Sequence, residues 1–392
     1  MEEQQFEEEV RKLMEEQLAK NAKAKAQVKK ETPVDVQLIQ ELYQDCFALP
    51  KIELHAHIGG CLRPETFMEL AMNKGVDIDH IDFYNVDIKG AFDIFKAVSQ
   101  VLTDLSTLAR VVKEVVADYA KQNCVYLELR STPKIFPGST SLKDYVDLVL
   151  TSIKQAEEEH DSKIRVRYII SINRFAPAEQ AMQIATLALE YASDPYVVGV
   201  ELSGDPRCGN FNDFIPALKL AKEGGLKISL HCSEMPEQAK ETPAMFEFGP
   251  DRLGHCIFMT TEEIKETAAR EIPVELCVSS NVATTQCGVP ALLPHLHEFY
   301  SLNHNLVICC DDTMLFGTNI SLEMFEFAKA VKATTQDLKS LLLRNAEKAI
   351  FAKDDETREW VKQQVAKFPV RGVSTASDGT LVQECEAVVV TE

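Results

Sequence analysis

Residues 197–206 read VVGVELSGDP and residues 226–234 read LKISLHCSE. Both runs begin in aliphatic residues and end in polar ones, with a longer stretch of helical character between them. Strand, helix, strand is the unit of a parallel sheet with helices outside it. Six more runs repeat the pattern on either side: PKIELHAH (50–57), VYLELRSTPK (125–134), RVRYIISINR (165–174), RLGHCIFM (252–259), PVELCVSSN (273–281) and NLVICCDDT (305–313). Eight βα units over roughly 250 or more residues match a closed (β/α)8 TIM barrel. An open doubly wound sheet is the alternative. It needs a glycine-rich phosphate loop after its first strand, and His55-Ala56-His57-Ile58-Gly59-Gly60 is not one.

Residues 1–40 read as a charged helical extension. Phe6, Val10, Leu13, Met14 and Leu18 recur at helical spacing, and a basic run from Lys20 to Lys30 follows. A solvated extension and a monomer are expected, with an oligomerisation arm the alternative. Residues 41–368 form the barrel domain. Residues 369–392 lack helical periodicity and read as a loose C-terminal tail.

Acidic residues number 61 against 41 basic, a net charge of −20. Such a chain has no electrostatic footprint for nucleic acid or an anionic membrane, so a small-molecule partner is expected. The opening MEEQQFEEEV is acidic where a secretory signal needs a basic start and an apolar run. No stretch of about 18 apolar residues is long enough to span a bilayer. The eleven cysteines form no C-x-x-C pair, and Cys232, Cys256, Cys277, Cys309 and Cys310 sit in apolar runs. They read as buried reduced thiols of a cytoplasmic protein.

In a barrel of this kind the polar strand ends converge on one rim, where active sites are built. Side chains alternate along a strand, so His55 and His57 point the same way. Two imidazoles on one strand face suit a borderline-soft cation such as Zn2+. A lone H-x-H is more often a pair of surface or core histidines. Here His231 ends the fifth strand, His255 the sixth and Asp311-Asp312 the eighth, so four of the nine histidines lie at strand ends. Three histidines and one carboxylate leave a coordination position for a reactive water. The second H-x-H, His295-Leu296-His297, follows Pro294, opens a helix and reads as surface. Dinuclear barrel hydrolases usually bridge their metals with a lysine ending the fourth strand. This fourth strand ends Glu201-Leu202-Ser203-Gly204-Asp205, so one metal per chain is expected. Glu234, three residues beyond His231, reads either as a proton donor in a partly dry pocket or as a loop glutamate in a surface ion pair.

Taken together, Pro50-Lys51-Ile52-Glu53-Leu54 before His55-Ala56-His57, then Ser203-Gly204-Asp205, His231-Cys232-Ser233-Glu234, Asp251-Arg252-Leu253-Gly254-His255, Ser280-Asn281 and Cys310-Asp311-Asp312 resemble the adenosine deaminase family in order and spacing. The resemblance covers roughly residues 45–350. Leu129-Arg130-Ser131-Thr132-Pro133 and Arg252-Leu253-Gly254-His255 look most like its adenosine deaminase-like branch, the N6-methyl-AMP deaminases. The resemblance implies a barrel of the metal-dependent hydrolase type, with one Zn2+ held by His55, His57, His231 and Asp311. It implies that His255 handles the proton of the attacking water and that Glu234 protonates purine N1. It also implies that Asp312 orients the purine through a ring nitrogen and that the Gly204 amide meets N3. The implied reaction is hydrolytic deamination at C6, N6-methyl-AMP or a related N6-substituted AMP giving IMP and an amine.

The chain departs from the family at the sugar and phosphate end. Gly59 stands where adenosine deaminases carry an acidic residue and the methyl-AMP branch carries Asn. Lys134 stands in place of Arg, Asn173 in place of Asp and Ser99 in place of His. Losing a carboxylate at position 59 removes repulsion towards a 5′-phosphate. Lysine keeps the charge of Arg but not its bidentate fork. Ser131, Thr132, Lys134, Asn173 and Gly59 are therefore the expected contacts to the substrate's sugar and phosphate. Arg174 and Arg207 are candidates for further phosphate contacts or for loop caps. The alternatives are an adenosine or 5′-modified adenosine deaminase, an inactive purine-binding protein, and an amidohydrolase acting on a cyclic amide.

Overall fold

The computed structural model describes residues 36–78, 81, 88–370, 373–375 and 381–383. The expected N-terminal apolar stripe and basic run lie outside these residues. Eight parallel strands pair in sequence order: β1 (Lys51–His57), β2 (Cys124–Ser131), β3 (Arg165–Asn173), β4 (Val197–Ser203), β5 (Lys227–Cys232), β6 (Arg252–His255), β7 (Val274–Cys277) and β8 (Leu306–Cys309). Each corresponds to one of the eight apolar runs. Strands of such a barrel are buried on both faces, which is why they read as near-continuous apolar runs; every residue of β4 is buried.

The ring closes between β8 and β1 through a single parallel bridge, Ala56 to Asp311. A side chain takes over where the ladder is missing. The buried carboxylate of Glu53 accepts from the backbone N–H of His55 (2.7 Å) on β1 and of Cys310 (2.8 Å) after β8. The chain belongs to a (β/α)8 barrel class, with helices such as Leu105–Lys121, Leu142–Glu159 and Ala178–Glu190 between the strands. Helix starts follow local chemistry. Asp104 accepts from the Thr107 N–H at 2.8 Å, and Thr260 with Glu263 forms a capping box.

The strands end earlier than the sequence runs suggest. Lys134, Arg174, Glu234, Asn281 and Asp312 fall beyond the last paired residue of their strands, and Asp311 lies beyond β8 at the closing bridge. The chain leaves the ladder at the rim, and the residues freed there face the cavity or support it. The helix Val36–Ala48 crosses the boundary expected at residue 40 and packs Tyr43 edge-on against Phe325, ring centroids 5.3 Å apart. Within the expected C-terminal tail, Val373–Thr375 pairs antiparallel with Leu381–Gln383. The ten described cysteines are free, and Cys232, Cys256, Cys277, Cys309 and Cys310 are buried. Among the described residues no helix is long and apolar enough to cross a membrane.

Candidate active site

His55 and His57 share the inner face of β1, with ring centroids 5.1 Å apart. His231, on β5, brings its Nε2 to 3.0 Å from Nε2 of His55. Asp311 places Oδ1 3.8 Å from His55 Nε2 and 3.7 Å from His57 Nε2. Asp311 and His255 both have φ of 63°, left-handed geometry that costs a non-glycine residue about 1–2 kcal/mol. Strain of this kind collects where a side chain must be aimed.

Burial pushes the imidazole of His55 down to about 4 and that of His231 well below its ordinary range, so both are neutral. The Nδ1 of His55 donates to Glu275 at 2.5 Å, which leaves Nε2 with a lone pair directed at the cluster. Donor separations of 3.0, 3.7 and 3.8 Å bracket the edge of about 3.4 Å of a tetrahedral cation with bonds of about 2.0–2.1 Å. The donor set therefore suits a metal ion.

Beneath the cluster the barrel interior is charged. Arg130 donates to Glu201 (2.5 Å), to Glu275 (3.1 Å) and to the Leu54 carbonyl. Arg252 donates to Glu275 and Glu128, each at 2.5 Å, and to the Ala349 carbonyl at 2.8 Å. All five side chains are fully buried. Burial alone would raise the Glu275 carboxyl, but Arg130, Arg252 and His55 hold it well below the usual carboxylate range. Two guanidiniums face three carboxylates, and Asp311 adds a fourth. The set has an excess of negative charge that a cation among the histidines would offset.

On the far side His255 donates from Nδ1 to Asn281 Oδ1 at 3.0 Å, and the Asn281 amide donates to His295 Nε2 at 3.0 Å. His295 is thus buried and engaged, not a surface residue as its sequence setting suggested; His297 is half-buried and bonds the Ala291 carbonyl at 3.0 Å. The helix Pro294–Ser301 turns His295 inward, and a two-residue pattern does not show that face. Among the described residues, Nε2 of His255 has no hydrogen-bond partner. Burial would lower the His255 imidazole, but Glu234, Asp311 and the Asn281 bond raise it above its ordinary value.

A cavity of about 740 Å³ opens over these groups. Glu234 lines it while buried, and burial, reinforced by Asp311 and Asp205, raises its carboxyl. Ser233 turns the chain at φ 47°, and Gln238 clamps the turn by accepting from the Glu234 N–H (2.9 Å) and donating to the His231 carbonyl (3.0 Å). Asp312 is pushed well above the usual carboxylate range by burial and by Asp311 beside it. Two adjacent carboxylates do not both ionise in a dry site. Gly60 is required by that carboxyl, since a Cβ there would lie 1.5 Å from Asp312 Oδ1. Gly204 lines the cavity at φ +102°, and a Cβ there would lie 2.6 Å from Asn173 Oδ1, so the position favours glycine.

The family model for adenosine deaminase matches residues 50–367. The chain belongs to the adenosine deaminase family. It is 36% identical over 350 residues to the N6-mAMP deaminase of Arabidopsis thaliana, covering 81% of this chain and 95% of that protein. It is 35% identical to the N6-methyl-AMP deaminase of Homo sapiens, covering 80% and 92%. The crystal structure of Arabidopsis ADAL complexed with IMP superposes with a TM-score of 0.76 at 35% identity, covering 82% and 97%.

In this family member the structure groups His55, His57 and His231, and groups Asp311 with His55, His255 and Cys277; Asp311 also lies 3.7 Å from His57 Nε2. Glu234, Asp312, Gly59, Ser131, Thr132, Lys134, Asn173 and Gly204 all line the cavity. His255 is buried and is not among the lining residues. Ser131 is bonded to the hydroxyls of Tyr168 (2.9 Å) and Tyr145 (3.1 Å). Arg174 and Arg207 are not among the lining residues. Arg174 is buried against Glu241 at 2.6 Å, and Arg207 grips Asp205 at 2.7 and 2.8 Å. Sequence reasoning gave no role to Glu201, Gln238, Glu275 or His295. An acidic residue inside an apolar strand, as in Val274-Glu275-Leu276, was the available signal for Glu275.

Proposed function

We propose that this chain hydrolyses N6-methyl-AMP to IMP and methylamine, with one Zn2+ held by His55, His57, His231 and Asp311. The relatives named for that activity and the IMP complex of the Arabidopsis protein support the substrate. The observation that carries the chemistry is Glu234, a buried carboxyl that lines the cavity with His57, His231 and Asp311 and whose burial favours its protonated form.

Zinc supplies a Lewis acid that lowers the pKa of a bound water from about 15.7 towards 7. The residues do the rest. Purine N1, N3 and N7 lack hydrogens, and the cavity offers each a donor: the Glu234 carboxyl for N1, the Gly204 amide for N3 and the Asp312 carboxyl for N7. His255 receives the proton that the attacking water gives up, its Nδ1 already committed to Asn281. As the water oxygen bonds to C6, Glu234 passes its proton to N1. His255 then hands its proton to the exocyclic amine, the C6–N bond breaks and methylamine leaves. The C6 hydroxyl proton returns to Glu234, and N1 keeps its own, giving the 6-oxopurine. The ten free cysteines support a reducing, cytoplasmic setting.

A turnover panel on zinc-replete protein tests this with AMP, N6-methyl-AMP, adenosine and N6-methyladenosine, followed by absorbance. N6-methyl-AMP is expected to be the preferred substrate. Preference for the nucleosides would replace the nucleotide reading, and no turnover of any of the four would favour a purine-binding protein.

A further inference from the structure

Three buried carboxyl groups, Glu234, Asp311 and Asp312, line the cavity. Its exposed end carries the opposite sign. The charged side chains that line it there are Lys96, Lys134 and Asp205, and Asp205 is neutralised by the two bonds from Arg207. Neither lysine ammonium has an ion-pair or hydrogen-bond partner among the described residues. Burial alone pushes Lys134 below its ordinary value, with no acidic neighbour to hold it up. Two unmatched ammoniums on one cavity are conspicuous in a chain with 61 acidic residues and 41 basic ones.

They come from separate elements. Lys134 follows β2, and Lys96 lies on the helix Ile88–Val101, one turn before Ser99, on the face that lines the cavity. Beside that helix Gly59 leaves space. It has ordinary φ, and a Cβ there would make ordinary contact with Val98 at 3.6 Å. Its backbone does not demand glycine, and the missing side chain widens the cavity next to the helix that carries Lys96.

We propose that Lys96 and Lys134 clamp the 5′-phosphate of the substrate at the cavity mouth, which makes Lys96 a specificity-determining residue for nucleotide over nucleoside. The proposal rests on the nucleotide reading above. Flexible lysine stems suit a dianion that must enter and leave, and a point charge needs no fixed fork geometry.

The test compares wild type, K96M and K96R as full-length, zinc-replete proteins, with K134M in parallel. IMP affinity is measured by isothermal titration, and kcat and KM for N6-methyl-AMP and N6-methyladenosine by absorbance. Losing one charge-assisted contact is expected to weaken IMP binding and to lower kcat/KM for the nucleotide, relative to the nucleoside, by about tenfold or more. The nucleotide kcat should stay within about twofold, K96R should recover most of the loss, and the difference should shrink with added salt. Unchanged IMP affinity in K96M would overturn the proposal, as would equal losses on nucleotide and nucleoside or a fall in kcat without a rise in KM. Wild type that binds IMP in a Lys96-dependent way but turns nothing over would sink the deaminase reading and leave the clamp standing. Normal turnover with an indifferent K96M would do the reverse.

Discussion

Glu234 is useful because burial shifts its carboxyl towards the protonated form, which a surface glutamate would not favour. Glu234→Gln keeps the shape and removes the transferable proton. It is expected to lower kcat by about 10²–10⁴-fold while zinc content and IMP affinity remain near wild type; an active variant would show that N1 is protonated by another group. Gly60 makes a different demand, for space. Gly60→Ala places a methyl where Asp312 Oδ1 lies, and the carboxyl must move. A displacement of about 1 Å at such a group costs about 100-fold in rate, so steady-state kinetics with zinc still bound should show at least that loss. Residues at this scale were legible when their meaning was local. His55 and His57 share a face because strands alternate, and Glu234 stands a fixed step from His231. His295 and Glu275 were not legible, because their partners are distant in sequence. Glu275 meets His55 across 220 residues, and no local pattern encodes that meeting.

The four residues of β7 show how an element carries function below the site. Its apolar members fix the strand in the sheet, and Glu275 between them holds the His55 tautomer. Support of a metal ligand by an outer carboxylate is typically worth 10–100-fold in metal affinity. Glu275→Gln should therefore weaken zinc binding by about that factor, read by competition with a chromophoric chelator. Unchanged affinity would mean that the carboxylate serves only Arg130 and Arg252. The helix Ile320–Val331 is tied to the helix Val278–Thr285, which follows β7, by Glu323, which accepts from the Ser279 N–H (3.0 Å), the Ser279 hydroxyl and the Thr318 hydroxyl (2.6 Å). Burial raises this carboxyl to about 7 against an ordinary 4.5. Its contribution to stability is complete below the unfolded value and is lost as pH rises through the folded one. The loss amounts to about 3 kcal/mol at most. Urea midpoints at about pH 5 and about pH 8 should therefore differ more in wild type than in Glu323→Gln; equal differences would show that Glu323 titrates normally. The strands were legible as elements because burial on both faces leaves little room for polar residues. Their ends were not, because the residues that leave the ladder look like continuing strand until the rim places them.

The whole barrel is closed at its weakest join by side chains. Seven strand pairs have ladders, while β8 meets β1 through one bridge and the carboxylate of Glu53. The proposed metal ligands straddle that seam: His55 and His57 on β1, Asp311 after β8, and His231 across the barrel on β5. A cation bound there links the two sides of the seam and the opposite wall in one coordination sphere, and it binds only the folded chain. Such a ligand stabilises by about 4 kcal/mol when present at a thousand times its dissociation constant. For a domain of this size that is a shift of about 6 °C. Removing the metal with a chelator should lower the melting temperature by an amount of this order in one cooperative transition, and stoichiometric zinc should restore it. If only a local spectroscopic change accompanied metal loss and the melt were unmoved, Glu53 and the buried arginine–glutamate set would be sufficient to hold the seam. The metal would then contribute to chemistry alone, and the excess negative charge beneath the histidines would be tolerated by the fold instead of offset by the ion.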